Sequence, residues 1–252
     1  MKTHMVIGDA HAKPGVSNDR FEWLGHMAVD QRPDVIVDMG DWADMESLCS
    51  YDKGHKSFEG RRYQKDVAAA RDARERFAAP IAEHNRRYPK DTYKPRLVAI
   101  GGNHDQGRIE RVCQLQPEFD GVISVTDLGA EEYGWEWHNF LEPVSIDGVN
   151  YVHYSISGVK ALPIGTAAFL LSKRHVSMTT AHSHLFDYAV QTCGDGRKIA
   201  GLIAGCYFEH QERYAGRANG LWWRGVVMCH DVKDGFYDLE QVRIQRIKKV
   251  YG

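Results

Sequence analysis

Cysteine offers this chain no scaffold. Its five cysteines (Cys49, Cys113, Cys193, Cys206 and Cys229) are odd in number, scattered and never in C-x-x-C spacing, so neither a disulfide framework nor a thiolate metal site is expected. No apolar run approaches the roughly 18 residues of a membrane span, and the opening MKTHMVIGDA lacks the apolar core of a signal peptide. Net charge is small too: at -2 it gives no basic field, so a nucleic-acid partner would have to meet a local patch. Internal repeats and low-complexity linkers are missing. Together these absences lead us to expect a soluble cytoplasmic protein with no membrane partner. What is present is an ordinary globular composition, 43% hydrophobic and 26% charged over 252 residues, which suits one large domain spanning 1–252.

The first half alternates strand-like and helix-like segments. THMVIG (3–8) reads as a strand, NDRFEWLGHMAVDQ (18–31) has helical spacing of Phe21, Leu24 and Ala28, and DVIVDMG (34–40) is again a buried-type strand. The charged stretch 60–88 is helix-forming, with Pro80 expected to break or kink it. It lies in a helical insertion at about 45–95, read as a lid, a dimer arm or a nucleic-acid contact. RLVAIGG (96–102) supplies a third strand. From about Trp135 hairpins dominate, with turns at Asp147-Gly148 and Asp195-Gly196; a helix over 161–175 interrupts them before the strand VSMTTAH (176–182). The hairpins after 135 are expected to complete a second sheet. The architecture is then α/β, a four-layer α-β-β-α sandwich flanked by helices.

Polar clusters end these strands: GDAH (8–11), GD (40–41), GNHD (102–105), His153, and HSH (182–184). At the carboxyl edge of an α/β sheet such clusters converge. Carboxylates, an amide oxygen and imidazoles form a mixed O/N ligand set for divalent first-row metals. The run VDMGDWADM places Asp38, Asp41 and Asp44 within seven positions, and cations are expected to hold that charge, with Asp41 as the natural bridge. The plain alternatives are turn-capping aspartates and, for His153, a satisfied core histidine.

In their order and spacing these strings resemble the calcineurin-like metallophosphoesterase superfamily, over roughly residues 5–184. The resemblance implies one metal on Asp9, His11, Asp41 and His184, a second on Asp41, Asn103, His153 and His182, and His104 as the catalytic histidine. It implies two divalent ions, manganese ahead of iron, zinc, nickel or magnesium, which activate water and clamp phosphate oxygens. Asp44 or Asp105 would orient the His104 imidazole. The family's GGHxH reads TAHSH here, and GDxVDRG reads GDWADME, so the phosphate-gripping arginine of the protein phosphatases is missing. SFEGRRYQKD and GNHDQGRIER resemble small bacteriophage phosphoesterases, which would place the chain in a host cytoplasm.

Arg108 and Arg111, at i and i+3 of an expected helix, are candidates with Asn103 for binding substrate phosphate, and Arg61, Arg62 and Lys65 for a basic rim. A solvated helix face is the alternative for the latter three. Trp42 and Tyr63 are candidates for stacking on a base. The function expected is hydrolysis of a phosphate ester, more a phosphodiester (nucleotide or nucleic acid) than a protein monoester. Two alternatives stand beside it: a small-molecule phosphomonoesterase, and a non-catalytic metal-binding interaction scaffold.

Overall fold

Side chains alternate across the first strand, β1 (Lys2–Ile7): Met5 and Ile7 join one apolar core and Val6 another. A chain that is buried on both faces needs a layer on each side. In the computed structural model, which describes residues 1–158 and 161–252, helices and a second sheet supply those layers. α1 (Asp19–Gln31) buries Phe21, Leu24 and Ala28, on the spacing read from the sequence. β2 (Val35–Asp38) follows, buried at every position.

The segment between β2 and the next strand holds short 3-10 turns and then α2 (Tyr63–Arg87). Pro80 does not end this helix. The chain stays helical through it, with Pro80 buried, and Ala73 and Phe77 of the same helix share the core of α1. That burial outweighs the one hydrogen bond a proline removes. β3 (Arg96–Ile100) and α3 (Gln106–Leu115) complete the first half.

The second half begins with β4 (Glu136–His138), then the hairpin of β5 (Val144–Ile146) and β6 (Val149–Tyr151), turned by Asp147 and Gly148 with φ of 49° and 85°. The helix expected over 161–175 starts later. β7 (Ile156–Ser157) pairs with β8 (Leu162–Pro163), and only then does α4 (Ala167–Arg174) begin, its first turn capped by the Thr166 hydroxyl accepting from Phe169 N–H. β9 (Met178–Thr180), β10 (Phe186–Thr192) and β11 (Lys198–Ala204) come next. β12 (Gly225–Lys233), β13 (Phe236–Arg243) and α5 (Ile244–Tyr251) close the chain.

The six-stranded sheet runs β13-β12-β1-β2-β3-β4, and the five-stranded sheet runs β10-β11-β9-β6-β5. The hairpins after 135 therefore do not all build the second sheet. β4 extends the first sheet, and β12, buried through Val226–Cys229, pairs antiparallel with β1 and covers its free edge. α1, α2 and α5 pack outside the first sheet around Met5, Ile36 and Met228. A second core between the sheets joins Val37, Val98 and Val227 to Val149, Tyr151 and Leu202. α4 lies over β9, β10 and β11. The result is the expected α-β-β-α stack.

Candidate metal centre

Because β1, β2 and β3 are parallel neighbours, their carboxyl ends deliver Asp9, Asp41 and Asn103 to one edge. β6 and β9, parallel in the other sheet, deliver His153, His182 and His184 to the same place. The approach is tight. A Cβ added at Gly102 would lie 2.1 Å from Asp41 Oδ1, so only glycine lets these two loops touch. His11, Asp41, His182 and His184 all sit at positive φ, between 45° and 66°. Such backbone is costly for residues with a Cβ, and it gathers here at one spot.

On one side of the cluster His184 Nε2 lies 3.4 Å from Asp9 Oδ2, and His11 Nε2 3.8 Å from Asp41 Oδ2. On the other, His153 Nε2 lies 2.9 Å from Asn103 Oδ1 and 3.3 Å from Asp41 Oδ2, with the His182 ring 5.3 Å from the His153 ring. Asp41 belongs to two groups of ligand atoms that all lie within 4.8 Å of one another: one with His153 and His182, the other with His11 and His104.

The electrostatics are those of a cation cradle. Asp9 is fully buried, and neither carboxylate oxygen receives a hydrogen bond of normal geometry; both ring nitrogens of His11 are likewise buried and unpartnered. Burial pushes the Asp9 carboxyl well up and the His11 imidazole well down. It also lowers His182 to about 4 and His184 to about 3, leaving neutral rings with a free lone pair. For Asp41, burial is overcome by the surrounding imidazoles, His153 foremost, and its carboxyl falls well below the usual range. Burial would depress His153 as well, but Asp41 and Asp9 lift it to about 10, so with no ion bound a proton on this ring balances Asp41. A cation would have to replace that proton at Nε2, while Nδ1 stays bonded to the Met39 carbonyl at 2.8 Å. Unpartnered oxygens and nitrogens at this spacing fit hard or borderline divalent cations.

A family model described as calcineurin-like phosphoesterase matches residues 3–231. The chain belongs to that family. Membership supports metal-dependent hydrolysis of a phosphoester, and a search of curated proteins finds none that matches the chain. No helix among the described residues is long and apolar enough to cross a membrane.

Within this calcineurin-like phosphoesterase the three aspartates of VDMGDWADM go to three different partners. Asp38 turns into the helical layer and pairs with Arg74 at 2.6 Å, both buried. Asp44 accepts from His104 Nδ1 at 2.7 Å, from Arg108, and lies 3.6 Å from Lys13 Nζ. Asp41 stands in two of the candidate ligand groups; Asp44 lies 3.8 Å from His11 Nδ1, in a third group with Glu212, but is already held by His104, Arg108 and Lys13.

Asp44, and not Asp105, contacts the His104 ring. Asp105 accepts from the backbone N–H groups of Gly102, Gln106 and Trp42, at 2.6, 2.7 and 3.2 Å, so it caps α3 and ties down the loop; burial and nearby Asp41 push its carboxyl up to about 7. Of the candidate phosphate-binding cations, Arg108 and Arg61 are held by carboxylates. Arg108 is bound to the carbonyl and side chain of Asp44, Arg61 pairs with Asp52 at 2.6 Å, and Arg111 lies exposed on α3. Arg62 bonds the neighbouring carbonyl of Arg61, and Lys65 reaches only the Gly60 carbonyl. Trp42 is buried beneath the Arg74 guanidinium, 3.8 Å from its centroid, and the Tyr63 hydroxyl donates to Asp127, so neither is a free stacking surface.

Sequence reading missed a wall of the site. Lys13 Nζ bridges Asp44 and Glu212, the latter at 2.5 Å, while Phe208 and Trp222 pack on His184 with ring centroids 5.2 and 4.4 Å away. Lys13 lies two positions after GDAH and was legible as a nearby cation. Glu212 and Trp222 lie in an irregular segment that carries no periodic signal.

Proposed function

We propose that the protein is a dinuclear metal-dependent phosphodiesterase. Asp9, His11, Asp41 and His184 would hold one divalent cation, and Asp41, Asn103, His153 and His182 the other. The observation that carries this reading is Asp41, shared by two ligand groups beside the unpartnered carboxylate of Asp9 and the unpartnered ring of His11. The cations supply an activated water and neutralise phosphate oxygens.

The chain's own residues do the rest. Asp44 is held well below the usual carboxylate range, against the pull of burial, chiefly by its hydrogen bond from His104. An ionised Asp44 fixes the His104 proton on Nδ1 and leaves Nε2 for the leaving oxygen, to which the imidazolium form donates. A diester fits better than a monoester because Arg108, Arg61 and Lys13, the cations around the centre, are already paired with carboxylates. A monoanionic phosphate needs less charge than a dianion.

The test is turnover of bis-p-nitrophenyl phosphate and p-nitrophenyl phosphate with Mn2+, Fe2+, Zn2+, Ni2+ or Mg2+. We expect the diester to turn over faster with at least one ion. Faster hydrolysis of the monoester would establish the phosphomonoesterase instead, and inactivity with every ion would remove the enzyme reading.

A further inference from the structure

Trp222 has two neighbourhoods. Its indole meets the candidate ligand His184 edge-on, 4.4 Å away at 86°, and it also lines a cavity of about 270 Å³ with Trp223, Arg224, Arg243 and Gln245. Arg224 and Gln245 also line a second cavity of about 280 Å³ beside Glu209, so the two hollows of this trough share a wall, and Trp222 stands between the first of them and His184.

The trough is built rather than incidental. A Cβ at Gly205 would lie 2.4 Å from the Trp223 ring, and one at Gly225 2.9 Å from that ring's far edge, so the glycine that follows β11 and the one that opens β12 form the slot in which the indole lies. The Trp223 ring also packs on Phe186, 5.1 Å away. Arg224 is anchored by its bond to the Asn219 carbonyl at 3.0 Å and keeps a buried Nε with no partner. Glu209 is paired with Lys248 at 3.0 Å, which leaves the two guanidinium groups to set the sign of the trough. Fixed indoles beside guanidinium groups suit a ligand that is planar at one end and anionic at the other.

We propose that this trough binds the nucleoside phosphate unit adjoining the scissile ester, an assignment that rests on the phosphodiesterase reading. The base lies on the tryptophans, the phosphate on Arg224 and Arg243, and Trp222 separates the unit from the metal centre.

The test is calorimetric titration of the full chain, stripped of metal with EDTA, with AMP and separately with inorganic phosphate. AMP should bind the wild type and bind Arg243→Gln and Gln245→Glu at least about tenfold more weakly. Arg197→Gln, which removes a charge from the β10–β11 turn, should bind as the wild type does. No AMP binding, equal binding by all variants, or phosphate binding as tightly as AMP would each overturn the proposal. Turnover of bis-p-nitrophenyl phosphate with added metal separates the two failures: activity without AMP binding sinks the trough alone, and inactivity sinks the reading it rests on.

Discussion

Asp44 and Asp105, two buried carboxylates beside the candidate metal centre, have different partners, and substitution should separate their roles. Asp44 touches His104, so Asp44→Asn should cost about 10²- to 10⁴-fold in kcat, with a smaller loss of stability than Asp105→Ala because the amide keeps a carbonyl oxygen for His104 and Arg108. Asp105 touches only backbone N–H groups, so Asp105→Ala should destabilise by about 2–4 kcal/mol, a helix cap plus buried donors left unmet. Urea unfolding and steady-state kinetics on both variants decide this, and the reverse pattern would exchange the roles. A second residue prediction concerns His4, remote from the centre. Tyr151 O–H donates to its Nδ1 at 2.7 Å and its Nε2–H donates to Asp147 at 3.0 Å, an arrangement for a neutral ring. Burial holds the imidazole below its ordinary 6.5, with Asp147 pulling the other way. As pH falls through 6.5 the unfolded chain takes a proton that the folded one refuses, so this contribution is intact above 6.5 and is lost as pH falls to the folded value. His4→Gln should flatten the dependence of the urea midpoint on pH in that window, and an unchanged slope would refute the assignment.

Arg74 shows what an element can hide. On a helix that reads as charged along its whole length, one guanidinium is buried, bonds Asp38, and lies over the rings of Trp42 and Trp135 at 3.8 and 4.5 Å. Arg74→Leu should cost about 3–5 kcal/mol because it strands a buried carboxylate, and Asp38→Leu/Arg74→Leu should cost less than the single change. A double variant whose loss equals the sum of the singles would show that the pair is not coupled. Nothing in the sequence marks Arg74, because its burial depends on Asp38 and two indoles brought from other segments. Strands β1, β2 and β3 were legible from apolar runs, and the strings after them were legible as neighbours because parallel strands place their ends on one edge. What escaped was long-range: β12 pairs with β1 across most of the chain, and Glu212 and Trp222 reach the site from an irregular segment. A local reading counts Arg61 and Arg108 as free cations because it does not see the carboxylates that hold them.

Across the whole molecule, the candidate ligands come from the edges of both sheets, so an ion held by them links the two layers that enclose the inner core. An ion that binds the folded chain alone stabilises it by about 2.7 kcal/mol at a hundredfold excess over its dissociation constant, a midpoint rise of roughly 5–10 °C for a chain of this size. The same cluster is a liability without an ion, since Asp9 is a buried carboxylate with no hydrogen-bond partner. Function and stability therefore pull in opposite directions at one residue. In EDTA, Asp9→Ala should melt at or above the wild type. In saturating Mn2+ the order should reverse, because the wild type gains the binding energy and the variant gains little of it. Scanning calorimetry of both proteins in both buffers reads this crossing directly. If Asp9→Ala melts well below the wild type in EDTA, and Mn2+ moves both midpoints equally, then Asp9 is a packing residue and the cradle has lost one of its walls.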